Sequence, residues 1–239
     1  MSGVANASEP PSLVGITFRR ARTTGRFYLV YGLVVSSLLA VALGVSSGAA
    51  FSTIFPLLLP IFGVVGSMGS LVVFTNDRTK GVLEYLLAYG VSERQIFVNS
   101  LLIGLALDAM VVGTATVVGL GASLATGHAL TLTSAEYLGL YGIPMSLAAV
   151  AFACTVGMYW TALSSPRAGM NSPIGLVPFV GILPALATLF AVEALAGTGH
   201  GADAVRVGAF AVLLVAVVVV VLISRIGRLL RRERMLSPM

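Results

Sequence analysis

An all-helical membrane protein with six transmembrane spans is the architecture this sequence predicts, and three observations predict it. The chain is 57% hydrophobic and only 10% charged, with a mean hydropathy of +1.00, whereas soluble domains carry roughly 25% charged residues. Apolar runs recur along it with short polar breaks, each run long enough for a bilayer core of about 30 Å, which takes roughly 20 residues of helix. Every lysine and arginine except Arg206 falls in alternate breaks or at the two ends, the pattern expected when basic residues stay on the cytoplasmic side. The expected placement is multi-pass in the cell (plasma) membrane with both termini cytoplasmic. Little chain is left for a soluble domain.

The spans read as 27–45, 51–74, 97–125, 137–163, 174–195 and 207–224, within a membrane domain over 27–226. No secretory signal is expected, because the first apolar run follows Arg19, Arg20, Arg22 and Arg26 and is too long for a signal core. After a flexible stretch over 1–11, residues 12–26 read as an amphipathic helix on the inner leaflet. Arg19, Arg22 and Arg26 share one face, and Leu13, Ile16 and Phe27 fall on another. The same arginines serve equally well as a positive flank that only sets topology. The basic tail over 227–239 reads as a cytoplasmic stop signal. The net charge of +5 is thus an orientation signal, and no nucleic-acid partner is expected because no nucleic-acid-binding motif accompanies it.

Within the first span Gly32, Ser36, Ala40, Gly44 and Gly48 recur at every fourth position, which lines small residues along one helix face where a second backbone can come close. That face is a helix contact, either inside one chain or between two. The second span repeats the spacing at Gly63 and Ser67 and at Gly66 and Ser70, and Pro56, Pro60, Pro178 and Pro184 remove helix hydrogen bonds from the second and fifth spans.

Catalytic chemistry finds little material. The single cysteine, Cys154, excludes an intrachain disulfide, and His128 and His200 on separate outer loops do not build a metal site. G-x-S-x-G, H-E-x-x-H and a dinucleotide glycine motif are absent. No catalytic residue, no metal and no cofactor on this chain is therefore expected. Asp108, in the third span with no lysine or arginine within a turn or two, fits three roles: a protonated acid, an acid bonded to a Ser or Thr of another helix, or a group lining a polar pathway. Glu193 suits the outer membrane interface.

The long charged interruption is NDRTKGVLEYLLAYGVSERQ, residues 76–95. Asp77 is placed to cap a helix carrying Val82, Leu83, Leu86, Leu87 and Tyr89 and ending at Gly90, with Glu84 and Tyr85 among them. Ser92 and Gln95 then have capping-box spacing and start a second helix. A loop that only reverses direction manages with about four to six residues. An ordered amphipathic helix here reads either as a docking surface or as a helix resting on lipid headgroups.

These residues resemble the ABC-2-type permease domains of ATP-binding-cassette transporters. Members share six spans, an N-terminal interface helix, and a cytoplasmic loop between spans two and three similar to E-R-x-x-G-x-L-E-x-L-L with a serine beyond. The matching positions are Asp77, Arg78, Gly81, Leu83, Glu84, Leu86, Leu87 and Ser92; the chain departs in having Asn76 and Asp77 where Glu is usual and Tyr89, Gly90 and Val91 where a proline often stands. The resemblance implies a non-catalytic permease subunit of an exporter, working as a dimer with a second permease copy or homologue. Residues 78–90 would be the coupling helix seated in a separate cytoplasmic ATPase, with Arg78 and Glu84 as polar contacts and Leu83, Leu86 and Leu87 as packing contacts. ATP and magnesium would bind on that partner. This fits the absence of a GxxxxGK[ST] loop, the only lysine being Lys80. The rival readings are a secondary transporter, which internal repeats would mark, and a stand-alone six-span protein.

Overall fold

The computed structural model describes residues 13–46, 48–128, 132–163, 182–184, 186–188, 190–191, 194 and 201–229. Its elements are α1 (Leu13–Thr24), α2 (Arg26–Ser46), α3 (Gly48–Thr79), α4 (Val82–Ala88), α5 (Glu93–Ala125), α6 (Leu132–Tyr137) with a π-helical turn (Leu138–Gly142), α7 (Ile143–Leu163) and α8 (Gly201–Leu229). Among the described residues there is no strand. Among the described residues five helices are long and apolar enough to cross a membrane: Arg26–Ser46, Ile54–Thr79, Glu93–Ala125, Ala135–Ala162 and Arg206–Arg225. They overlie the first four expected spans and the last. The expected fifth span, 174–195, and the tail beyond 229 lie for the most part outside the described residues, as do residues 1–12.

Helix α3 is the hub. Of its apolar window, 72% is buried, against 28% for α2 and 11% for α8. The reason is its run of glycines, which turn to different neighbours and let each come close. Gly66 faces α2 and α5: a Cβ there would stand 2.5 Å from Val111 Cγ2, and one on Gly32 would stand 3.0 Å from the Gly66 Cα. Gly69 meets Ala21 and Gly25 at the joint of α1 and α2, and Gly63 lies beneath Asp108 and Ser146.

Gly32, Ser36, Ala40 and Gly44 are buried on one side of α2, and Gly44 lies against Gly119 and Ser123 of α5. Gly48 does not extend this row, which corrects the expectation of five. Helix α2 ends at Ser46, and Gly48 opens α3. The far side of α2 exposes Val34, Leu38 and Val45, and α8 exposes Phe210, Leu214 and Val221. Water would not tolerate such apolar faces, but lipid accommodates them. Helix α8 is tied to α7 by the Tyr159 hydroxyl, which donates to the Leu222 carbonyl at 2.8 Å.

The expected interface helix over 12–26 is α1, ending earlier at Thr24, so Arg26 belongs to α2. Its small face packs inward: Ala21 is 1% exposed. Arg19 and Arg22 point outward.

With about 1.5 Å of rise per residue, the 32 residues of α3 and 33 of α5 reach about 50 Å, well past a hydrocarbon core of about 30 Å. Their joined ends carry the charged residues Asp77, Arg78, Glu93 and Arg94. Helix α4 lies between those ends.

Candidate functional site

The turn from α3 into α4 rests on Gly81, whose φ of 70° lies in the left-handed region where a side chain is strained. The exit from α4 rests on Gly90, φ 86°. There the Gly90 amide donates to the Leu87 carbonyl and the Val91 amide to the Leu86 carbonyl, each at 3.1 Å, the paired bonds of a Schellman ending. Helix α5 then starts at Ser92, whose hydroxyl accepts from the Gln95 amide at 3.2 Å. Seven residues are thus fixed at both ends.

Two expectations are corrected at this turn. Asp77 does not cap α4, because it is still inside α3 and buried. It takes an ion pair from Arg20 of α1, with Nη1 reaching Oδ2 at 3.0 Å and Nη2 reaching Oδ1. Arg78 likewise belongs to the last turn of α3, and the helix expected over 78–90 is the shorter α4. Nothing at short range in the sequence signals a pair 57 residues apart.

The faces of α4 also differ from the expected contact set. Leu83 and Leu87, at 5% and 2% exposed, join the chain's own core with Phe74, Ile96 and Phe97, so their packing is spent internally. Leu86 is half-buried against the same cluster. Glu84 and Arg78 line a small pocket with Phe74, Leu83, Leu87 and Ala162. Gly81 and Ser92 set the turns described above. Outward stand Tyr85 and Tyr89, 66% and 73% exposed, with ring centroids 5.0 Å apart and hydroxyls at 3.5 Å. That hydrogen bond from Tyr89 to Tyr85 holds the Tyr89 phenol above its ordinary pKa. The signal was present in the i, i+4 spacing of two tyrosines.

Deeper in the protein, Asp108 sits near the middle of α5, 1% exposed. Its Oδ1 is 2.7 Å from the Ser146 hydroxyl of α7, and Oδ2 has no partner among the described residues. His128 has a partner that loop polarity did not suggest. Its Nδ1 lies 3.1 Å from the Gly44 carbonyl near the end of α2 and 3.0 Å from the Thr126 hydroxyl. Among the described residues no group of three or more His, Cys, Asp or Glu is placed to hold a metal.

No family model, no curated protein and no solved structure matches this chain.

Proposed function

We propose that the chain is the permease subunit of an ABC-2-type transporter, an exporter that works as a dimer and is driven by a separate ATPase subunit binding ATP and magnesium. The observation that carries this reading is α4. It is a seven-residue helix fixed between two left-handed glycines, anchored by Leu83 and Leu87 in the chain's own core, with an aromatic pair left outward. Such a helix is built to bear load. Force applied at Tyr85 and Tyr89 passes through Gly81 to α3, through Ser92 to α5, and through the pairing of Asp77 with Arg20 to α1. Those are the helices that a transport cycle has to move.

The contact surface in this reading is Tyr85 and Tyr89, not the buried Leu83 and Leu87. Exposed tyrosines act well as anchors because they bring large area with little side-chain freedom to lose. The test is affinity purification of the tagged chain in mild detergent from its native host. A phosphate-loop ATPase should co-purify. Replacing both tyrosines (Tyr85→Ala with Tyr89→Ala) should weaken its retention by about 2 kcal/mol or more, roughly thirtyfold in affinity, while membrane insertion is unchanged. A chain that purifies without any ATPase sinks the proposal.

A further inference from the structure

The junction of α3, α5 and α7 poses a problem in counting protons. The Ser146 hydroxyl lies 2.7 Å from Asp108 Oδ1 and 3.3 Å from the Leu59 carbonyl oxygen. It has one hydrogen and two acceptors. If Asp108 is a carboxylate, the serine hydrogen must go to it. The acid then holds a full charge at the middle of a membrane helix with a single donor among the described residues, its Oδ2 unpartnered there.

The charged groups on the packed helices stand far away. Asp77 and Arg78 are at one end of α3, Glu93 and Arg94 at the start of α5, some 15 residues or about 20 Å along the helix from Asp108. Helix α7 contributes only the Cys154 thiol and the Tyr159 phenol, the π-helical turn before it adds Tyr141, and neither helix nor turn carries a lysine or arginine. Nothing on α3, α5 or α7 is placed to neutralise a carboxylate here.

A proton on Oδ1 resolves the count. Asp108 then donates to the Ser146 oxygen, Ser146 donates to the Leu59 carbonyl, and every hydrogen has an acceptor along a chain that crosses α5, α7 and α3. Leu59 lies between Pro56 and Pro60. Gly63 supplies the clearance, since a Cβ there would collide with both Asp108 Oδ1 and Ser146 Oγ.

We propose that Asp108, Ser146 and the Leu59 carbonyl form a proton-binding site that locks α3, α5 and α7 together. The proton stays on Asp108 while the three helices are closed and passes to water when the junction opens and hydrates the carboxylate. The closed state binds one more proton than the open state, so rising pH favours opening. This reaches beyond the permease reading and stands or falls without it.

The chain carries its own reporter. Cys154, its single cysteine, is buried one layer below on α7, 3.6 Å from Ser70 of α3 and packed on Gly104 of α5. Opening of the same three helices exposes it. The experiment reconstitutes the full chain in lipid nanodiscs and follows Cys154 labelling by a small neutral maleimide across pH, in the native chain and in Asp108→Asn. The thiol's own ionisation gives both chains a common slope. The native chain should rise more steeply, by up to about one further decade per pH unit as one linked proton requires. Infrared spectra at neutral pH should show a protonated-carboxyl carbonyl band that Asp108→Asn removes and Ser146→Ala shifts. Equal labelling slopes, or a native spectrum in which neither variant alters a protonated-carboxyl band, overturn the proposal. Ser146→Ala keeps the acid, so the infrared result decides even if Asp108→Asn fails to insert.

Discussion

Two junctions on α3 are held by an aspartate, and they are built in opposite ways. At its end Asp77 takes a two-pronged ion pair from Arg20, whose side chain is 40% exposed. At its middle, Asp108 of α5 presses on Gly63, and Ser146 is its one side-chain hydrogen-bond partner among the described residues. The difference is one of solvent. Where helix ends project past hydrocarbon, water screens and hydrates a guanidinium, and a charged pair is tolerable. Inside the slab a second charge would itself have to be desolvated, so a short chain of hydroxyl and carboxyl groups replaces the ion pair. The end junction can therefore loosen by small steps, whereas the middle one is either packed or open.

The sharpest way to break this contrast is at Gly63. Gly63→Leu forces a side chain into the space held by Asp108 and Ser146, where neither helix can yield without parting from α3. Overpacking of this kind costs about 3 kcal/mol or more. Unfolding of the purified chain in mixed detergent should show that loss, together with labelling of Cys154 under conditions where the native thiol is silent. A leucine absorbed without loss would mean that the middle junction is looser than its packing shows.

At the end junction the expected loss is smaller. Asp77 is 7% exposed but its partner is not buried, so the pair falls between a surface bridge and a buried one. Arg20→Ala should cost about 2 kcal/mol, because it leaves the buried Asp77 carboxylate without its cation, and Asp77→Ala about 1 kcal/mol, because water reaches the guanidinium left behind. A double-mutant cycle isolates the coupling. Added salt should weaken it, whereas salt should leave the Gly63→Leu penalty unchanged.

Which parts of this were legible in advance follows from range. Hydropathy gave the helices of α2, α3, α5, α7 and α8 because each signal sits inside one segment. Gly90 and the Ser92 cap were legible for the same reason, since turn chemistry acts over a few residues. The pairing of Arg20 with Asp77 and of Asp108 with Ser146 was not, because periodicity carries no information about which helix lies beside which. Asp77 misled in an instructive way: an aspartate just before an apolar stretch looks like a cap, but α3 runs on through it and places it against α1. An amphipathic pattern shows that a face is buried and is silent on whether the cover is the chain itself or a partner; Leu83 and Leu87 of α4 lie in the chain's own core. Gly48 failed because a spacing of four persists from α2 into α3 although α2 ends at Ser46.

The smallest effect tests whether the end junction is as graded as its chemistry implies. Ser92 caps α5 through a single bond to the Gln95 amide at 3.2 Å, exposed to water. Ser92→Ala should therefore cost about 1 kcal/mol or less, and water can take over the freed amide. The cap also fixes the angle at which α4 hands over to α5. If α4 is a load-bearing element, the variant should lower ATP-driven transport in the assembled complex by more than its stability loss accounts for. Hydrogen exchange should quicken at Gln95 and Ile96 while the amides around Asp108 keep their protection. Faster exchange at both junctions would instead mean that the start and the middle of α5 open as one unit, and the contrast between a graded end and a two-state middle would fail.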